Sequence, residues 1–207
     1  MKITLPLIFI CVLMASCHTT AQTLDETKEE MMTLPYASIP DYPEDYTAGA
    51  VCARLADGLG FRYYWATEGL TETDLAYKID TASRTSLATL EHIHGLTKTI
   101  RNSIDKKPNV RPSEKRDLSW EELRAETLNN LKHTADVLRS STVEDIKTYE
   151  IVFQRGDKSS SYPFWHQLNG PIADALWHTG QIVSFRRASG NPFNSRVSVF
   201  SGTVRER

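Results

Sequence analysis

Asp174 and His178 lie four residues apart in the run Asn169 to Pro192, NGPIADALWHTGQIVSFRRASGNP. On a helix that spacing places both side chains on one face, a turn apart, so a carboxylate oxygen and an imidazole nitrogen can converge on one point. Gln181 continues the polar line, while Ile172, Ala175, Leu176, Ile182 and Phe185 offer apolar surface for burial beside it. A carboxylate and a histidine aimed at a packed interior are costly unless paired, hydrogen-bonded or bound to a metal. A third partner is therefore expected elsewhere in the chain.

Apart from His18, the remaining histidines are His92, His94, His133 and His166. His133 points about 160° away from Leu131 on an ideal helix and so toward solvent. His166, near the start of the last helix, is expected to be exposed or structural. His92 and His94 are two apart on one helix and cannot both face the core, and the apolar stripe is too broad for periodicity to choose between them. Two imidazoles and a carboxylate suit zinc first, with nickel or iron(II) also compatible, and leave positions open for water or substrate.

The elements that must position these residues are helical. The first helix is expected from about Asp45 past Val51, Leu55, Leu59 and Tyr63, with Gly58 and Gly60 weakening it or admitting a close neighbour and Gly69 as its cap. A second begins near Thr81 or Ser83 and carries Leu87, Leu90, Ile93, Leu96 and Ile100. The polar link Ser103 to Leu118 is long enough for a crossover between parallel neighbours. Ser119-Trp120-Glu121-Glu122 is a capping box that opens the third helix, followed by Leu128, Leu131, Ala135 and Leu138. The last helix spans about Pro163 to Ser189, with Pro171 marking a kink or a true start at Asn169-Gly170. Alternation at Tyr149, Ile151 and Phe153, and again at Val197 and Val199, fits short strands that could pair with each other. The expected class is all-α.

A chain of 207 residues is long enough for one domain with a sizeable core and short for two. A net charge of −2, with scattered Lys and Arg, offers no face for nucleic acid. Residues 1–21 read as an export segment: Lys2, then the apolar run Ile3 to Ala15, too short to span a membrane. Met14-Ala15-Ser16-Cys17 resembles a lipoprotein cleavage box, which would lipidate Cys17 and tether the protein to a membrane; ordinary cleavage after Thr19-Thr20-Ala21 is the alternative. The expected location is periplasmic or membrane-anchored. Residues 22–44 read as a polar tether, residues 45–192 as the helical domain and residues 193–207 as a tail. Cys11 and Cys17 fall in or beside the export segment, leaving Cys52 as a small buried hydrophobe.

His92-Ile93-His94-Gly95-Leu96, together with Asp174, His178, Gly180 and Gln181, resembles the DinB superfamily over about Tyr46 to Pro192. That resemblance implies a four-helix bundle of up-down-down-up order with the long crossover between helices two and three, and a divalent metal held by three ligands at one end. By position it assigns His92 rather than His94, with His178 matching the histidine of the family's H-x-G-Q-I pattern. Asp174 stands where the family usually has another histidine, and Gln181 would support the ligands or line the pocket. Trp65, Tyr63, Tyr64 and Trp177 could wall that pocket, and Arg186 or Arg187 could hold an anionic group, although a helix-end or surface role suits them better.

The function expected on these grounds is a metal-dependent transferase or hydrolase acting on a small molecule. The alternative is a non-catalytic exported binding or scaffold lipoprotein whose polar cluster is structural. A dimer is compatible with either.

Overall fold

In this computed structural model the structure describes residues 33–206, so the export segment with Cys11, Cys17 and His18, and residues 22–32 of the tether, lie outside the described residues. Four long helices carry the core: α1 (Ala48–Thr67), α3 (Ser86–Ile104), α4 (Trp120–Ser140) and α7 (Ala173–Ala188). Each of the first three is opened by a hydroxyl that accepts an orphan amide. Thr47 takes Ala50 N–H, Thr85 takes Ala88 N–H, and Ser119 takes Glu122 N–H at 3.2 Å while Glu122 Oε2 accepts Ser119 N–H at 2.8 Å. The expected capping box is therefore formed. Short helices α2 (Glu72–Ala76) and α5 (Val143–Lys147) open on the same device at Thr71 and Thr142.

α1 packs along α4 and α7, and α3 along the same two helices. Leu128, Leu131, Ala135 and Leu138 of α4 are wholly buried, as are Leu90 and Ile93 of α3. The stripe expected on α1 is only half right. Leu59 and Tyr63 are buried, but Val51 and Leu55 are exposed. A strict four-residue spacing advances about 40° per step around a 3.6-residue helix, so the line from 51 to 63 drifts from the exposed side onto the buried face. Small residues hold the contact instead. At Gly49 a Cβ would strike the carbonyl oxygens of Leu138 and Ser141, which fixes how closely α1 can meet the end of α4.

Gly60 admits a side chain rather than a backbone: the ring of Tyr36 lies where its Cβ would be. Tyr36 is buried and its hydroxyl donates to Asp57 Oδ1 at 3.2 Å, while the wholly buried Asp57 also accepts from Arg139 at 2.9 Å. Trp65 Nε1 donates to Ala37 O at 3.0 Å. The compact unit thus begins at Pro35, and residues 35–40, expected to be tether, pack onto α1.

Among the described residues the chain is mostly helical and carries two small sheets, so the all-α expectation holds only in part. β1 (Asn109–Val110) pairs in parallel with β2 (Ile151–Arg155), which pairs antiparallel with β3 (Lys158–Tyr162). The long link after α3 is pinned through this strand, with Arg111 N–H donating to Gln154 O at 2.7 Å. The expected pairing of the 149–153 strand with 197–199 is overturned: β4 (Val197–Ser198) pairs with β5 (Thr203–Val204) in a separate hairpin. Ile39 N–H donates to Gly202 O at 2.9 Å, tying that hairpin to the amino-terminal segment. Among the described residues no helix is long and apolar enough to cross a membrane.

Candidate metal centre

The approach to α7 explains where its polar face begins. The last helical region starts as a single turn, α6 (Trp165–Gln167), widens into a π-helical segment over Leu168–Ile172, and breaks at Gly170 (φ −100°, ψ −108°) ahead of Pro171. Proline cannot donate within a helix, and the break lets α7 begin afresh at Ala173. Asp174 consequently falls in the first turn of α7, where the helix dipole favours a carboxylate. Of the two expected alternatives, a kinked helix is the outcome.

α3 and α7 are neighbours, and three side chains meet at their seam. His92 Nε2 lies 3.3 Å from Asp174 Oδ2, and His178 Nε2 lies 3.3 Å from Asp174 Oδ1. The imidazole rings stand edge to face, 4.8 Å apart at 84°. One donor atom from each residue lies within 4.8 Å of the other two, so the cluster could hold a metal ion. Ligand bonds near 2.1 Å at tetrahedral angles separate donors by about 3.4 Å, which is the spacing both imidazoles keep from the carboxylate.

Gln181 supplies a further test of fit. Its Oε1 lies 2.6 Å from His178 Nδ1 and, being an amide oxygen, can only accept. Nδ1 therefore carries the proton, and Nε2 of the neutral ring presents a bare lone pair 3.3 Å from a carboxylate oxygen. A cation lying between these two atoms would be coordinated by both. The donor set thus fits a divalent cation, with Gln181 holding one ligand in the metal-binding tautomer. The side chains of His92 and Asp174 are 35% and 45% exposed and that of His178 19%, so the seam is open to solvent.

The other histidines are placed elsewhere. His94 Nε2 meets Glu126 Oε2 at 3.1 Å, and Glu126 takes two bonds from Arg116, at 2.9 and 2.6 Å. Burial pushes the His94 imidazole below its ordinary value despite Glu126. His133, expected to face solvent, is partly exposed but lies 2.5 Å from Asp105 Oδ1. His166 is exposed against the Tyr162 ring. The aromatic residues expected to wall a pocket do not gather there: Trp177 is 74% exposed, and Trp65 is occupied with Ala37. Tyr63 is wholly buried in the core.

One polar cluster escaped the sequence analysis. Arg186 is buried and donates to the carbonyls of Trp65 and Ala66 at 3.1 and 3.0 Å, closing the end of α1, and to Asn191 O at 2.8 Å. Asn191 Nδ2 in turn donates to Asp74 Oδ2 at 2.7 Å, and Ser189 donates to Asp74 Oδ1. Burial alone would raise the Asp74 pKa, but these bonds and those from Thr71 outweigh it and hold the pKa at about 2. The pattern Thr71-x-x-Asp74 was a legible signal for the cap; nothing local marked Arg186 as its distant partner.

No family model matches the chain, and no curated protein or solved structure matches it.

Proposed function

We propose that this chain is an exported, DinB-like four-helix protein of up-down-down-up order, in which His92, Asp174 and His178 hold a divalent cation, zinc in the first instance. We further propose that it is a metal-dependent transferase or hydrolase for a small molecule. The observation that supports this most is the meeting of two imidazoles on the two oxygens of one half-exposed carboxylate. Structural zinc sites are closed by four protein ligands, whereas catalytic ones keep a position free. Three ligand residues on a solvent-accessible seam favour the second kind. A cation held there would act as a Lewis acid on an oxygen or thiol of the substrate or on water. The protein's own part is narrower: α3 and α7 fix the spacing of the donors, Gln181 fixes the tautomer of His178, and the first turn of α7 supports the charge of Asp174.

The test is metal analysis of protein purified without an affinity tag. The expected result is one equivalent of divalent metal per chain, lost in a His92→Ala/Asp174→Ala/His178→Ala variant and retained in His94→Ala. Equal metal in the parent and triple variant would remove the proposal, and the element found would decide among zinc, nickel and iron.

A further inference from the structure

Of the two consecutive arginines on α7, the fold accounts only for Arg186. Arg187 is exposed, and its guanidinium has no hydrogen-bond or ion-pair partner among the described residues. It borders a groove of about 560 Å³ between α1, α7 and the carboxy-terminal hairpin. Arg62 of α1 lines the same groove, and its guanidinium donates only to neutral acceptors, Gly58 O at 2.9 Å and Val199 O at 3.4 Å. None of the lining residues is acidic, so two positive charges face the groove without a carboxylate to offset them. Leu176, Val183, Phe193 and Val199 supply apolar walls. Gly180 leaves the α7 side open, since a Cβ there would meet nothing within 4 Å.

We propose that this groove binds a small organic anion with an apolar body, its acidic group between Arg62 and Arg187 and its hydrocarbon part along Leu176, Val183 and Phe193. The volume falls in the range of small-molecule sites, and a guanidinium pairs a carboxylate or sulfonate in bidentate fashion. The larger groove under the link after α3 makes a weaker claim on an anion: Lys98, Arg111, Lys115 and Arg116 there are offset by Glu91, Glu114 and Asp117. On an ideal helix, positions 176, 180, 183 and 187 point roughly 140–180° away from His178, so the groove lies on the opposite side of α7 from the metal ligands. The inference is therefore independent of the metal proposal.

The probe is 8-anilinonaphthalene-1-sulfonate, an apolar anion whose fluorescence reports binding, titrated into the purified protein. Saturable binding is expected, about tenfold weaker in Arg187→Gln, in keeping with the loss of one charge-assisted contact. The melting temperature of Arg187→Gln should not change, because the guanidinium has no partner in the fold. Gly180→Leu, which fills the open floor, should also weaken binding, and laurate should displace the probe where dodecanol does not. Parent-like affinity in Arg187→Gln or Gly180→Leu would overturn the proposal, as would equal displacement by the uncharged alcohol. Probe binding that falls with protein concentration, in step with a dimer seen by light scattering, would assign the groove to a second copy and overturn it too.

Discussion

Gln181→Leu is the sharpest probe of the site, because it keeps the side chain's bulk while deleting the one group that chooses the His178 tautomer. The Nδ1–H···Oε1 bond is short, at 2.6 Å. Its direct loss is worth about 0.5–1.5 kcal/mol, or up to about tenfold in affinity. The freed ring then divides between tautomers and rotates, and removal of such supporting partners weakens metal binding by about 10–100-fold in total. The expectation is thus a zinc dissociation constant raised by at least about tenfold, with a melting temperature for the metal-free protein lowered by no more than a few degrees. Competition with a chromophoric zinc chelator at fixed pH measures the first, and a thermal melt in excess chelator the second. Gln181→Glu keeps an acceptor at the same reach and should bind more tightly than Gln181→Leu. Parent-like zinc affinity in Gln181→Leu, or equal weakening in the Glu variant, would refute the argument that Gln181 sets the tautomer.

Two further outcomes follow from the packing. Asp74 has a folded pKa of about 2 against an ordinary 3.8, so its contribution is complete above the ordinary value and is lost as pH falls toward 2. Urea unfolding of parent and Asp74→Asn should differ by about 2 kcal/mol at pH 7 and converge by about pH 2; a gap that persists in acid would show that the carboxylate charge is not the cause. Gly60→Ala should lower the melting temperature even though alanine favours helix, because the new Cβ displaces the Tyr36 ring and releases its bond to Asp57. Overpacking of this kind costs about 1–3 kcal/mol against a propensity gain of about 1 kcal/mol; a raised melting temperature would mean that the amino-terminal segment is not seated as described.

Local signals located the long helices closely. Capping hydroxyls and three-four periodicity act within one or two turns, so Ser119 and the Leu128 to Leu138 stripe were legible, and so was the shared face of Asp174 and His178. The first stripe misled because Val51, Leu55, Leu59 and Tyr63 recur at four residues, a spacing that walks around a helix whose contacts are made by glycine and alanine. Small residues carry little hydrophobic signal, yet they decide how near two helices come. The partner of each short strand is not legible in the same way, because alternation marks a strand without naming its neighbour.

Spacing along a regular helix is enough to show which residue types are available for a metal, which of them share a helix face, and that Gln181 lies one turn from His178. Helix packing is what brings His92 and not His94 to Asp174, a choice that periodicity leaves open and the family resemblance anticipates, and what makes Arg186 close a helix while Arg187 is left to a groove. Those outcomes depend on the rotation of one helix against another. That rotation is set by close packing summed over the whole interface, and no local pattern records it.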